Sequence, residues 1–509
     1  MSHDANDDPR HRATARRHGA RAAARPRRTP EYVEGWGMAV GGRSRVWRPE
    51  GTAELAQALE AARADERTVA LRGAGCSYGD ASLNRGEDVV DVGRMARILS
   101  FDEETGVADC EAGVTIRDLW RHALPRGHWP RVVSGTMFPT LAGAAGMNIH
   151  GKNNFKVGTI GDAILDLDFL RADGTTLRLS RDENPELFHA VVGGFGMLGA
   201  ITRVRIRTKR IHSGDVEVRG VSTPSLGGMM EYVDAHKDEA DYLVGWIDCF
   251  AGGKALGRGL VHHARNLAEG ADARAAETLT IEHQELPGSI LGFPKAEVWR
   301  VLKGFSWNGG MRALNFVKHQ MGKLEQRKGW YRQSHAGFNF LLDYVPNWKF
   351  AYGRAPGTGL VQYQAFLPHA TAREAFERIL ELGRSRGHTS FLGVLKRHRP
   401  DPFLLTHGLD GWSLALDFPV SPANRDSFLR AAEEWTAVVL DRGGRFYFAK
   451  DAVLGPGAVR RMYDPAALKR FLALKDEHDP DGLFQSDLSR RVLGEGDALV
   501  AADALRTAG

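Results

Sequence analysis

Three kinds of residue in this chain have types and spacings that could do chemistry: a lysine closing an apolar run, two glutamines one residue apart, and a histidine among small residues. The lysine is Lys450, after the run FYFA at 446–449. Apolar neighbours would desolvate its amine and lower its pKa, poising it for proton exchange. The plain alternative is a strand-end lysine reaching solvent. Strict alternation puts Tyr447 and Lys450 on opposite faces, so both reach one site only if the strand bends or ends between them. Gln362 and Gln364 share a strand face, where two amides could bond one polyhydroxyl molecule or form a solvated surface. His150, in MNIHGKN, is either a satisfied core histidine or the neighbour of a bound group.

Glycine-rich stretches frame these residues. The segment LRGAGCSYGD at 71–80 follows a strand, and its glycines at 73, 75 and 79 can take positive φ and leave backbone N–H groups in one concavity. The stretch 134–151 could supply a facing wall. A third candidate, Gly194, Gly196 and Gly199, spells G-x-G-x-x-G, but it follows a helix and opens a strand. That is the reverse of a dinucleotide-binding turn, so a tight connection is expected there. Two glycine loops about 60 residues apart, with no βαβ unit, suggest FAD held between sheets. Other chemistries fit poorly. Gly151-Lys152 lacks the phosphate-loop spacing, no H-E-x-x-H or Cys/His cluster occurs, and no G-x-S-x-G is present. No metal site is expected, and His262-His263 reads as surface.

The elements that must position these residues read as an α+β protein. Short strands alternate with helices up to about residue 212. From 213, strands such as YLVGWIDCF, GLVQYQAFLP, SFLGVLKRH and WSLALDFPV alternate with helices, the pattern of an antiparallel sheet covered by helices. Residues 265–335 suggest long loops, and RFYFAKDAV reads as a strand. The 509 residues, 43% hydrophobic and 26% charged, exceed one ordinary core. The pI of about 9.0 comes from residues 1–30, which carry eight arginines and three aspartates; the remainder balances 60 basic against 60 acidic side chains. That segment reads as a disordered basic tail, either solvated or drawn to an anionic surface. A neutral body argues against nucleic acid as partner. Three cysteines without metal spacing suit a reducing compartment, no secretory signal is evident, and no stretch is long and apolar enough for a membrane helix.

The motifs RGAGCSYGD, SGT…GAAGMNIHGKNN, DLDFLRADG, VVGGFGMLG, HTSFLGVLKRH, GWSLALDFPV, GGRFYFAKDA and DPDGLFQSDLSRRV together resemble the vanillyl-alcohol-oxidase-type (PCMH-type) flavoproteins. Within them they are most similar to the decaprenylphosphoryl-β-D-ribose 2′-oxidase family and, more broadly, to D-arabinono-1,4-lactone oxidases. The resemblance covers about 31–212 and 340–492. It implies a two-part FAD-binding domain (31–212 and 441–509) around a substrate domain (213–440), preceded by the tail at 1–30. It implies that Gly73, Gly75, Cys76, Ser77, Tyr78 and Gly79 line the pyrophosphate loop, with Gly135, Thr136, Thr140, Gly143 and Asn148 on the facing wall. His150, Lys152, Gln362, Gln364, Lys396, Tyr447 and Lys450 would surround the flavin ring and substrate, with Lys450, His150 and Tyr447 as catalytic residues.

Departures from the family pattern bear on the ligands. Cys76 stands where the superfamily carries histidine when flavin is covalently attached, so non-covalent FAD is expected. Ala415 and Ser413 stand where the arabinan enzymes typically show a cysteine and an asparagine, and both would line the substrate pocket. The resemblance implies oxidation of the 2′-hydroxyl of a polyprenyl-phosphoryl pentose, the first half of an epimerisation serving cell-surface glycans. A short-chain reductase would be the partner, and the location cytoplasmic, with room for peripheral membrane contact. Rival readings are an aldonolactone or alditol oxidase on a soluble sugar, a flavin-linked reductase of a sterol-type double bond, and a scaffold that has lost catalysis.

Overall fold

The computed structural model describes residues 29–290, 292–355 and 357–494. The basic tail expected at 1–30 lies almost wholly outside them. Three main sheets carry the chain, with helices between and over them. The first joins Glu31–Glu34, Gly41–Trp47, Asp88–Asp91 and Val69–Arg72; the last three strands run parallel.

The second sheet is antiparallel and centres on Ala200–Arg210, flanked by Val107–Glu111 and Ile164–Leu170. Its sequence AITRVRIRTKR explains its place. Val204 and Ile206 alternate into the core while Arg203 turns outward to Asp109 on one neighbouring strand and to Asp166 and Asp168 on the other. Beside it, helix Ile116–Ala123 starts at a reciprocal Thr115/Asp118 cap and buries Ile116, Leu119, Trp120 and Ala123, the spacing of one helical face.

The third sheet has eight antiparallel strands in the order Tyr331–Ser334, Asp215–Thr223, Gly259–Asn266, Tyr242–Ile247, Leu392–His398, Gly411–Val420, Gly359–Pro368 and Arg445–Phe446. Helices cover one of its faces. Tyr363 packs on Trp435 of helix Arg425–Leu440, so Gln362 and Gln364, its neighbours in the strand, look the opposite way.

The C-terminal segment returns to the start of the chain. Val69 N donates to the carbonyl of Leu483, Gln485 N donates back to that of Val69, and Phe484 is fully buried between. Helix Asp487–Leu493 then places the Arg491 guanidinium, 1% exposed, between the carboxylates of Asp80 and Asp451.

Two local expectations are corrected. Residues 265–335, expected as long loops, include helices Val298–Phe305 and Asn308–Gln326 and the edge strand Tyr331–Ser334. The strand expected over RFYFAKDAV stops at Phe446; a turn follows in which Lys450 N donates to the carbonyl of Tyr447. Among the described residues no helix is long and apolar enough to cross a membrane.

Candidate active site

A cavity of about 410 Å³ runs from the glycine loops to the open face of the eight-stranded sheet. At one end the loop after Val69–Arg72 meets the turn that opens helix Leu141–Gly146. Thr140 caps that helix, accepting from Gly143 N at 3.2 Å. The approach leaves no room for side chains: a Cβ on Gly73 would lie 2.1 Å from the Thr140 hydroxyl. Gly75 adopts φ +65°, open to glycine at little cost.

The backbone N–H groups of Gly73, Ala74, Gly75, Cys76 and Ser77 find no acceptor among the described residues, although all five residues line the cavity. Only Gly75 of the five is buried, yet a run of unpaired N–H groups around one concavity marks a place for acceptor oxygens from outside the chain. The lining also holds Arg72, Lys152, Lys318, Lys396 and Lys450 and no carboxylate. A pyrophosphate-containing cofactor such as FAD fits both features.

At the other end, register across three strands collects the polar groups. Lys396 stands opposite Ser413, and Ala415 opposite Gln364. The Gln364 amide donates to His150 Nε2 at 3.1 Å and to Ser413 Oγ at 3.4 Å, and His398 Nε2 lies 2.7 Å from the same hydroxyl. An amide donor fixes His150 Nε2 as acceptor and its proton on Nδ1, which is buried without a partner. Burial, with cationic Lys396 nearby, holds this imidazole far below its ordinary pKa and therefore neutral. Burial also pushes the Lys396 amine down to about 8.

Lys450 sits where the short last strand ends, its Nζ 3.4 Å from the centroid of the Tyr78 ring. Burial lowers its pKa, opposed by the charge of Asp417; burial in turn raises the Asp417 carboxyl, which accepts from Gln362 Nε2 at 2.5 Å. Because the strand stops at Phe446, Tyr447 and Lys450 both line the cavity despite their spacing. The Cys76 thiol is pushed up to about 11 by burial and stays protonated at neutral pH.

Of the residues singled out in the sequence, Gly73, Gly75, Cys76, Ser77, Tyr78, Gly135, Thr136, Thr140, Gly143, His150, Lys152, Gln362, Gln364, Lys396, Ser413, Ala415, Tyr447 and Lys450 line this cavity. Two do not. Gly79 faces the C-terminal segment, where a Cβ would meet the Asp451 carbonyl at 1.9 Å. Asn148, fully buried at φ +45°, braces backbone instead: its side chain accepts from Gly161 N and donates to Asp401. Lys152 lines the cavity, but its amine donates to the carbonyls of Phe338 and Asn339.

The glutamines are buried rather than solvated. His262 and His263 are not surface residues either: His263 is buried beside the Tyr232 hydroxyl, and His262 lines the cavity. Sequence reasoning missed the cavity role of His262, Lys318 and Trp246, and that of the connection through Gly194, Gly196 and Gly199, which is a helix-to-strand turn yet forms part of the wall. Alternation along GLVHHARN was the available signal for His262, since adjacent residues face opposite ways.

Comparison with known proteins agrees with this geometry. Residues 44–180 match the FAD binding domain family. The chain is 32% identical to decaprenylphosphoryl-β-D-ribose oxidase of Mycolicibacterium smegmatis over 475 residues, 91% of this chain and 98% of that one. It is 24% identical to an L-gulono-1,4-lactone dehydrogenase of Mycobacterium tuberculosis over 89% of this chain and 96% of that one. An L-gulonolactone oxidase of Mus musculus is 26% identical over 39% of this chain and 44% of its own length. With unpaired loop amides where a pyrophosphate would bind, and likeness along nearly its whole length, the chain is an FAD-dependent oxidoreductase and belongs to the decaprenylphosphoryl-β-D-ribose oxidase family.

Proposed function

We propose that this enzyme oxidises the 2′-hydroxyl of a polyprenyl-phosphoryl pentose to a ketone, using non-covalently held FAD. The observation that carries the reading is the polar end of the cavity. Two amides, a neutral histidine and two half-buried lysines stand together against one sheet face, with no carboxylate in the lining to repel a phosphoryl group. The relative with 32% identity carries the matching name.

The two separated parts expected at 31–212 and 441–509, the latter described only to residue 494, form the proposed FAD domain, and 213–440 the substrate domain. The amides of Gly73 to Ser77 bind the pyrophosphate, with Gly135, Thr136, Thr140 and Gly143 opposite. When bound, FAD supplies the acceptor for the hydride leaving the carbinol carbon. Gln362, Gln364 and Ser413 orient the sugar hydroxyls, and Lys396 holds the phosphoryl group. Lys450 Nζ takes up the hydroxyl proton; its depressed pKa suits it to do so near neutrality. His150 donates from Nδ1, its Nε2 being fixed by Gln364. Tyr447, buried at 5% exposure beside His150 and His407, closes the site against water. Cys76, a protonated thiol, makes no bond to the flavin. The ketone product calls for a reductase of the short-chain class to complete the inversion.

The second reading, a lactone or alditol oxidase on a soluble sugar, draws on the L-gulono-1,4-lactone dehydrogenase. Anaerobic stopped-flow reduction separates the two. A farnesyl-phosphoryl pentose should bleach the flavin absorbance, and L-gulono-1,4-lactone should not. Faster reduction by the lactone would overturn the assignment. Acid precipitation should release all the yellow colour into the supernatant, and colour kept in the pellet would contradict non-covalent binding.

A further inference from the structure

Helix Asn308–Gln326 has its polarity reversed. A surface helix ordinarily turns an apolar stripe inward and polar residues to solvent. Here the residues turned to the protein are Gly310, Asn315, His319 and Gly322. Gly322 lies so close to Leu260 that a Cβ would fall 2.0 Å from that side chain. Outward are Phe316, Val317, Met321 and Leu324, a stripe at helical spacing. Helix Val298–Phe305, packed against it, buries Trp299 yet also shows Val301 and Phe305, and Trp307 in the connection is exposed as well. These seven side chains are between 43% and 64% exposed. Apolar residues scattered singly over a surface need no explanation, but a grouped set marks a contact.

Charge says which contact. Residues 298–330 contain seven lysines and arginines, all exposed, and one carboxylate, Glu325, which accepts from the Tyr331 hydroxyl at 2.6 Å. We propose that these two helices form an interfacial surface that docks on an anionic lipid bilayer. The apolar side chains enter the boundary of the acyl region, and the basic ones meet the headgroups, the combination by which helices lie on membranes. A second copy is the poorer occupant, since a two-fold contact would set like charges against each other. Lys318 belongs both to this helix and to the cavity lining, and Trp246, beneath its ammonium at 4.4 Å, lines the cavity too. The cavity therefore opens beside the docking surface. That this serves a polyprenyl-linked substrate rests on the function proposed above, whereas the docking itself does not.

The test is co-sedimentation of the full-length holoprotein with vesicles of phosphatidylcholine alone and of phosphatidylcholine and phosphatidylglycerol in equal parts. The protein should bind the mixed vesicles. The variant Phe316→Ser/Met321→Ser/Leu324→Ser should lose about tenfold or more in apparent affinity, since membrane binding scales with buried apolar area. Lys323→Glu/Arg327→Glu/Lys328→Glu should lose the preference for the anionic lipid. The arginines of residues 10–28 are common to all three proteins, so differences report the helices alone. Flavin content and the circular dichroism spectrum, unchanged in both variants, verify folding. Equal vesicle binding by all three proteins overturns the proposal. So does a wild-type dimer in gel filtration that the serine variant dissociates, for then a second copy covers this face. Vesicle binding by a protein that fails to oxidise a polyprenyl-phosphoryl sugar would sink the substrate assignment and leave the docking surface standing.

Discussion

The two ends of the cavity are built on opposite principles. The glycine-loop end presents backbone: five unpaired amides, chain segments too close to admit a Cβ, and charged pairs placed behind the wall, as at Arg491, Asp80 and Asp451. The sheet end presents side chains, and those that titrate, Lys396, Lys450 and His150, are all shifted by burial. One end is specified by shape and the other by proton affinity, so damage to each should look different.

The largest effect is expected behind the loop wall. Arg491→Met leaves the carboxylates of Asp80 and Asp451 buried without their partner, which costs about 3–5 kcal/mol of stability. Chemical denaturation should record that loss, while the reduction rate of the molecules that keep their flavin stays near wild type. A normal denaturation midpoint would show the pair to be ornamental.

Lys450→Met should do the reverse. Stability and FAD content hold, while flavin reduction falls on the order of 100-fold or more, the usual cost of one transition-state contact. Lys450→Arg keeps the charge but cannot release a proton at working pH, so it should remain slow. Recovery by arginine would reassign the lysine from proton acceptor to fixed cation. A wild-type rate in the methionine variant would remove it from the site altogether.

Gly73→Ala tests shape alone. Its Cβ must push the Thr140 hydroxyl away, an overpacking worth about 1–3 kcal/mol. FAD loading should drop and should recover in part in Gly73→Ala/Thr140→Ala, which removes the obstructing oxygen. Failure of the double variant to recover would mean that the two walls do not meet through this contact.

The smallest effect is a matter of pH. The Lys396 amine, at about 8, is cationic below that value and neutral above it. If it holds a phosphoryl group, KM should be constant below pH 8 and rise above it, at most about tenfold per unit. Lys396→Arg should move that rise to higher pH. A KM that ignores pH between 7 and 9.5 would place the phosphoryl group elsewhere.

How far the sequence spoke depended on how local each signal was. The strand Ala200–Arg210 was legible residue for residue, because alternating Val/Ile and Arg leave one register that buries the apolar set. Lys450 and the glutamines were legible as candidates, but only the structure shows the strand stopping at Phe446 and the amides bonded to His150 and Asp417. Asn148 misled because a buried asparagine in a glycine-rich wall looks the same whether it binds a ligand or braces backbone. Helix Asn308–Gln326 escaped because it turns polar and small residues inward and has paired glycines in its first turn, so the usual reading of polarity fails. The pairing of Asp80 with Arg491 spans 411 positions, beyond any local pattern.

That long pairing bears on when the enzyme can be made functional. Gly79 meets the Asp451 carbonyl, Tyr78 N donates to Ala449, and Asp80 is neutralised by Arg491. The first glycine loop is synthesised some 411 positions ahead of the arginine that holds it in shape. Segments made earlier can fold earlier during synthesis, yet this loop has no finished partner until the segment through Arg491 has been made. Flavin loading is thereby tied to the synthesis of that segment: a polypeptide terminated before helix Asp487–Leu493 would leave the ribosome unable to stay yellow.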